Sequence, residues 1–97
     1  MHADAAPAPY RTTPVFDEET LPGGLRREHR TKAGVWGLIR IFEGRLRLEY
    51  RDGTAGRILG PDAPGLVGPE QVHLVAPLGP MRMQVEFYEA EPQLSDS

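Results

Sequence analysis

The chain has no cysteine, which excludes disulfides, thiolate metal sites and cysteine nucleophiles and leaves histidine, carboxylate and amide groups as the available ligands. It also lacks any apolar run near the roughly 20 residues that cross a bilayer as a helix, so no membrane partner is expected. Serine occurs only at positions 95 and 97, and the threonines have no local histidine partner, which leaves nucleophilic catalysis without its residues. No glycine-rich phosphate loop precedes a helix, which removes the usual basis for nucleotide chemistry. The first nine residues carry neither the basic start nor the apolar stretch of a secretory signal, and the expected location is cytoplasmic.

Charge of one sign is also missing. The net charge is -3, so no global field draws nucleic acid. The arginines at 26, 27, 30, 40, 45, 47 and 51 are interspersed with Glu28, Glu43 and Glu49 and read, with Lys32, as a solvated β surface. No nucleic-acid partner is expected.

Glycine and proline, by contrast, are abundant, at 11 and 10 residues. They recur at Pro22-Gly-Gly, Glu43-Gly, Asp52-Gly, Gly60-Pro-Asp-Ala-Pro-Gly65 and Leu78-Gly-Pro80, leaving no helical window of period 3.6. The pattern predicts an all-β domain over residues 10–90, between flexible tails at 1–9 and 91–97. Strands are predicted near Thr12 to Phe16, Leu25 to Arg30, Val35 to Phe42, Arg45 to Tyr50, Gly56 to Leu59, Leu66-Val67, Val72 to Ala76 and Met81 to Tyr88. Arg45 to Tyr50 alternates strictly, with Leu46, Leu48 and Tyr50 inward. So many short strands in one small chain predict a closed barrel or two-sheet jelly roll.

Two histidines carry the chemical interest. On a strand where His73 points inward, Gln71 and Val75 do so too, setting an amide beside an imidazole. In the last strand Val85 and Phe87 share one face, while Gln84, Glu86 and Tyr88 share the other. Two imidazoles and a carboxylate, His29, His73 and Glu86, would suit zinc, iron, manganese or nickel. The structural alternative is that each histidine is a surface or hydrogen-bonded residue. Trp36 divides in the same way, between core or rim and a ligand-stacking wall. His2 lies in the N-terminal tail and carries no expected role.

The residues His29-Arg-Thr-Lys-Ala-Gly-Val-Trp36 and Pro69-Glu-Gln-Val-His73, in that order with hairpin signals between them, resemble the TehB/YeaR-like small cupins from about Tyr10 to Glu89. The resemblance implies a double-stranded β-helix barrel with a pocket open at one end. Members of that family carry the domain in front of a methyltransferase associated with tellurite resistance or stand alone. The stand-alone form is the expectation here, so methyltransferase activity is not carried over. Cupins commonly place two histidines one residue apart in their first motif, whereas Thr31 and Ala33 occupy the nearby positions here. The implied ligands are therefore His29, His73 and Glu86, with Gln71 as a fourth ligand or supporting group and Trp36 and Phe87 as apolar walls. The leading expectation is a stand-alone small cupin that binds a divalent metal, a small-molecule or anionic ligand, or both, forms a homodimer, and serves in oxyanion (tellurite-type) or other stress resistance. The alternative is a metal-free, non-catalytic ligand-binding or interaction module.

Overall fold

A computed structural model describes residues 8–93. His2 and most of the two predicted tails lie outside the described residues. Within them the chain runs β1 (Arg11–Thr12), β2 (Phe16–Asp17), a 3-10 turn (Gly23–Arg26), β3 (Trp36–Glu43), β4 (Leu46–Tyr50), β5 (Arg57–Leu59), β6 (Gly65–Val67), β7 (His73–Pro77) and β8 (Arg82–Tyr88). All the strand pairs are antiparallel. Among the described residues no helix is long and apolar enough to cross a membrane.

Two sheets form. The first has the order β1-β8-β3-β6, with β2 also pairing to β8, and the second has the order β5-β4-β7. The long β3–β8 ladder runs from Trp36↔Tyr88 to Glu43↔Arg82, with a bulge between Ile41 and Glu43 that leaves Phe42 exposed. In β4, Leu46 and Leu48 are fully buried while Arg47 is exposed, as strict alternation requires. These leucines meet Ile39, Ile41, Leu59, Val67, Val75, Met81, Met83 and Val85 in one core between the sheets. Full burial of such side chains contributes about 1.5–3 kcal/mol each relative to exposure.

Three expectations need correction. The sheets do not close into a continuous barrel; isolated bridges at His29↔His73 and Gly60↔Ala63 supplement the two separate sheets. The predicted strand at Leu25 to Arg30 is instead a 3-10 turn followed by the single bridge at His29, because Pro22 (φ -58°, ψ 140°) leads the chain into a turn closed by Leu25 N donating to Pro22 O at 3.0 Å. The segment Thr12 to Phe16 splits into β1 and β2, which pair with different parts of β8.

The β3–β4 turn depends on Gly44. Its φ is 78°, and a Cβ there would lie 2.2 Å from the Pro80 carbonyl oxygen. Gly44→Ala is expected to destabilise the domain by more than the ~1–2 kcal/mol of the left-handed conformation alone. Thermal denaturation should show a fall of at least several degrees.

Candidate functional site

The apolar faces of β3, β6, β7 and β8 line a pocket of about 270 Å³ between the sheets. Ile39, Val67, Val75, Met83, Val85 and Phe87 supply its walls, and Gly37 contributes bare backbone. The β8 alternation thus turns Met83, Val85 and Phe87 to the pocket. Glu86 sits in the other register, where it accepts a hydrogen bond from Tyr88 Oη at 2.7 Å and pairs with Arg40 Nε at 3.2 Å. Trp36 is not among the lining residues; it shares the register of Leu38 and Arg40.

His29 and His73 come together at one wall. Each backbone N–H donates to the other residue's carbonyl at 2.9 Å, and the rings lie 4.0 Å apart between centroids, tilted by 56°. His29 Nδ1 is 3.0 Å from Arg27 O and His73 Nδ1 is 2.8 Å from Gln71 O. A carbonyl can only accept, so both Nδ1 atoms carry hydrogen and each neutral ring keeps Nε2 as an acceptor. Burial lowers the His73 pKa from its ordinary value; the Gln71 carbonyl opposes this and the neighbouring His29 adds to it.

The two sequence motifs hold this wall in place. Thr31 Oγ1 donates to Gly68 O at 3.0 Å and accepts from Glu70 N at 3.2 Å, tying the His29 segment to the loop before β7. Val35 N donates to Lys32 O at 3.1 Å across a turn in which Gly34 has φ 78°. The Gln71 side chain is spent on the same scaffold: Oε1 accepts from Gly68 N at 2.8 Å and Nε2 donates to Asp52 Oδ2 at 3.0 Å. Only its backbone carbonyl serves the site, by fixing His73.

Arg11, Arg30 and Lys32 also line the pocket and are exposed, while no aspartate or glutamate lines it among the described residues. Sequence reasoning assigned Arg30 and Lys32 to the solvated surface and missed Arg11, Thr13 and Leu25. The available signal was that Arg30 and Lys32 flank the His29 motif. For Arg11 and Thr13 the signal is absent, since β1 reaches the pocket only by pairing with the distant β8.

The TehB-like domain family matches residues 11–85. Two curated relatives, each a "Probable S-adenosyl-L-methionine-dependent methyltransferase TehB" from Haemophilus influenzae strains, are 31% and 29% identical over 58 residues, covering 56% of this chain and 20% of theirs. The chain thus spans about a fifth of the length of the curated relatives it matches. The crystal structure of TehB from Haemophilus influenzae superposes with a TM-score of 0.78 at 26% identity, over 86% of this chain and 31% of that one. A solved protein from Escherichia coli strain K12 gives 0.76 at 16% identity, over 96% and 99%, and supports the fold.

These findings overturn the reading as a metal-binding cupin with an oxyanion-resistance role. The kinship is to proteins named as S-adenosylmethionine-dependent methyltransferases. Among the described residues no group of three or more histidines, cysteines, aspartates or glutamates could hold a metal. Glu86 is committed to Arg40 and Tyr88, so His29 and His73 have no carboxylate to complete a zinc, iron, manganese or nickel site.

His73 should leave a signature in stability against pH. Its folded-state pKa lies below the ordinary 6.5, so the unfolded chain takes up a proton first as pH falls. Stability is full above about pH 6.5 and is expected to decline between there and the lower folded-state value. His73→Phe should flatten the thermal-midpoint slope in that window, and an unchanged slope would rule out His73 as its source. Thr31→Val, which removes both loop hydrogen bonds, is expected to cost about 1–3 kcal/mol in denaturant unfolding.

Proposed function

The chain belongs to the TehB-like domain family, and on that premise we propose that it is the ligand-holding β module of an S-adenosylmethionine-dependent methyltransferase system, receiving a small organic anion with an apolar body. The observation that carries this reading is the composition of the pocket: apolar walls, a cationic rim of Arg11, Arg30 and Lys32, and no lining carboxylate among the described residues. Such a site favours an acid whose hydrocarbon part is desolvated while its charge stays at the mouth.

The same residues do not fit the methyl donor. S-adenosylmethionine carries a positive sulfonium and a ribose diol, groups commonly met by carboxylates, and this pocket offers cations instead. The donor is therefore assigned to another part of the methyltransferase system. The β module holds its partner molecule in the reaction or a compound that regulates it.

Titration of the chain with aromatic and medium-chain aliphatic monocarboxylates, followed by thermal shift and calorimetry, tests the reading. An acid at 100 times its Kd should stabilise the fold by about 2.7 kcal/mol. Affinity should fall with added salt and in Arg30→Glu/Lys32→Glu, and Val85→Trp should abolish it by filling the cavity. S-adenosylmethionine should produce no shift. Binding of S-adenosylmethionine with none of the acids would overturn the assignment.

A further inference from the structure

We propose that the inner wall of the pocket recognises a hydrogen-bond donor on the ligand, a hydroxyl above all, through Nε2 of His73, so that the favoured class is a one-ring or similarly small hydroxylated apolar acid. This rests on the preceding reading of the pocket and specifies its ligand.

Three observations lead there. His73 is only 4% exposed, yet it lines the cavity. Its Nδ1–H is satisfied by the Gln71 carbonyl at 2.8 Å, which fixes the tautomer and leaves Nε2 with a lone pair and no N–H. Among the described residues neither His73 nor His29 has a hydrogen-bond partner at Nε2. A buried polar atom without a partner is costly, and here the space beside it is a cavity.

The surroundings decide what can fill that space. A bare anion against Nε2 would meet a lone pair and would need a proton taken up from solvent. The second imidazole at 4.0 Å and the cationic rim both oppose that added charge. A neutral O–H needs no proton change: it donates to Nε2 while its ring packs against Phe87, Val85 and Ile39. The acid group of the same molecule then lies toward Arg11, Arg30 and Lys32. The volume of about 270 Å³ falls at the lower edge of small-molecule sites, commonly about 300–1,000 Å³, and limits the ligand to a small one.

Such a contact also distinguishes a hydroxyl from its methyl ether. Capping the oxygen removes the donor, adds bulk and leaves Nε2 unpaired. The pocket would thus hold the unmethylated compound and reject the methylated one.

The test compares the three hydroxybenzoates and 4-hydroxyphenylacetate with their methyl ethers and with benzoate and phenylacetate, by calorimetry on the whole chain in buffers of differing ionisation enthalpy. At least one hydroxy acid should bind tenfold or more tightly than both its ether and its deoxy analogue, with no net proton uptake. His73→Phe should bring the three to similar affinity. Nitrogen NMR of the wild-type rings provides a readout that does not depend on the variant folding: the Nε2 resonance of His73 should shift on ligand addition while Nδ1 stays protonated. Equal binding of hydroxy, methoxy and deoxy acids would overturn the hydroxyl assignment and leave the anion pocket standing. Binding with uptake of one proton would replace it by an imidazolium–carboxylate contact. Failure of every acid would bring down the pocket reading itself.

Discussion

The pocket depends on the reciprocal pair of backbone hydrogen bonds between His29 and His73, each 2.9 Å long. It is an isolated bridge, outside the regular ladders of either sheet, and it fastens the loop segment that follows the 3-10 turn to the start of β7. Without it the His29 ring would have no fixed relation to the His73 ring. With it, the rings lie tilted against each other, and their Nδ1 atoms find carbonyls two residues back along each chain segment. Thr31 repeats the link one step further on by engaging Gly68 and Glu70. Register, tautomer and pocket wall therefore follow from the same short stretch of pairing.

Much of the scaffold was legible because alternation is a local property. Leu46 and Leu48 separate from Arg47 on β4, and Val85 and Phe87 separate from Glu86 on β8, in the sequence as in the structure. What alternation could not supply was the identity of the inner face of β8. Two sheets around one core decide that question, since Met83 and Val85 join the cluster formed by β3, β4 and β7. Glu86, drawn from the other face, never had access to the two histidines.

The placement of Leu25 to Arg30 shows the opposite case. Its composition permits a strand, but Pro22 and the two glycines after it turn the chain first, and His29 pairs only once. Gln71 was assigned to the pocket by counting from His73, yet β7 begins at His73 and the loop before it bends away. Gln71 belongs to the turn closed by its own N–H donating to Gly68 O at 3.1 Å, so the two-residue repeat of the strand does not extend back to it. The kinship of the TehB motifs was readable; the metal chemistry attached to them required three convergent ligands, and the folded chain brings together two.

One property of the sheet order concerns time rather than space. β8 is synthesised after the other seven described strands, yet it lies inside the first sheet and pairs with β1, β2 and β3. Until residues 82–88 are made, those earlier strands lack their shared neighbour and the pocket lacks the wall formed by Met83, Val85 and Phe87. Assembly is consequently governed by contacts distant in sequence, the kind that slow folding. A nascent chain halted before β8 would expose the apolar sides of β3 and β4 and be a natural target for chaperones and proteases, so the ligand site is completed only when β8 emerges.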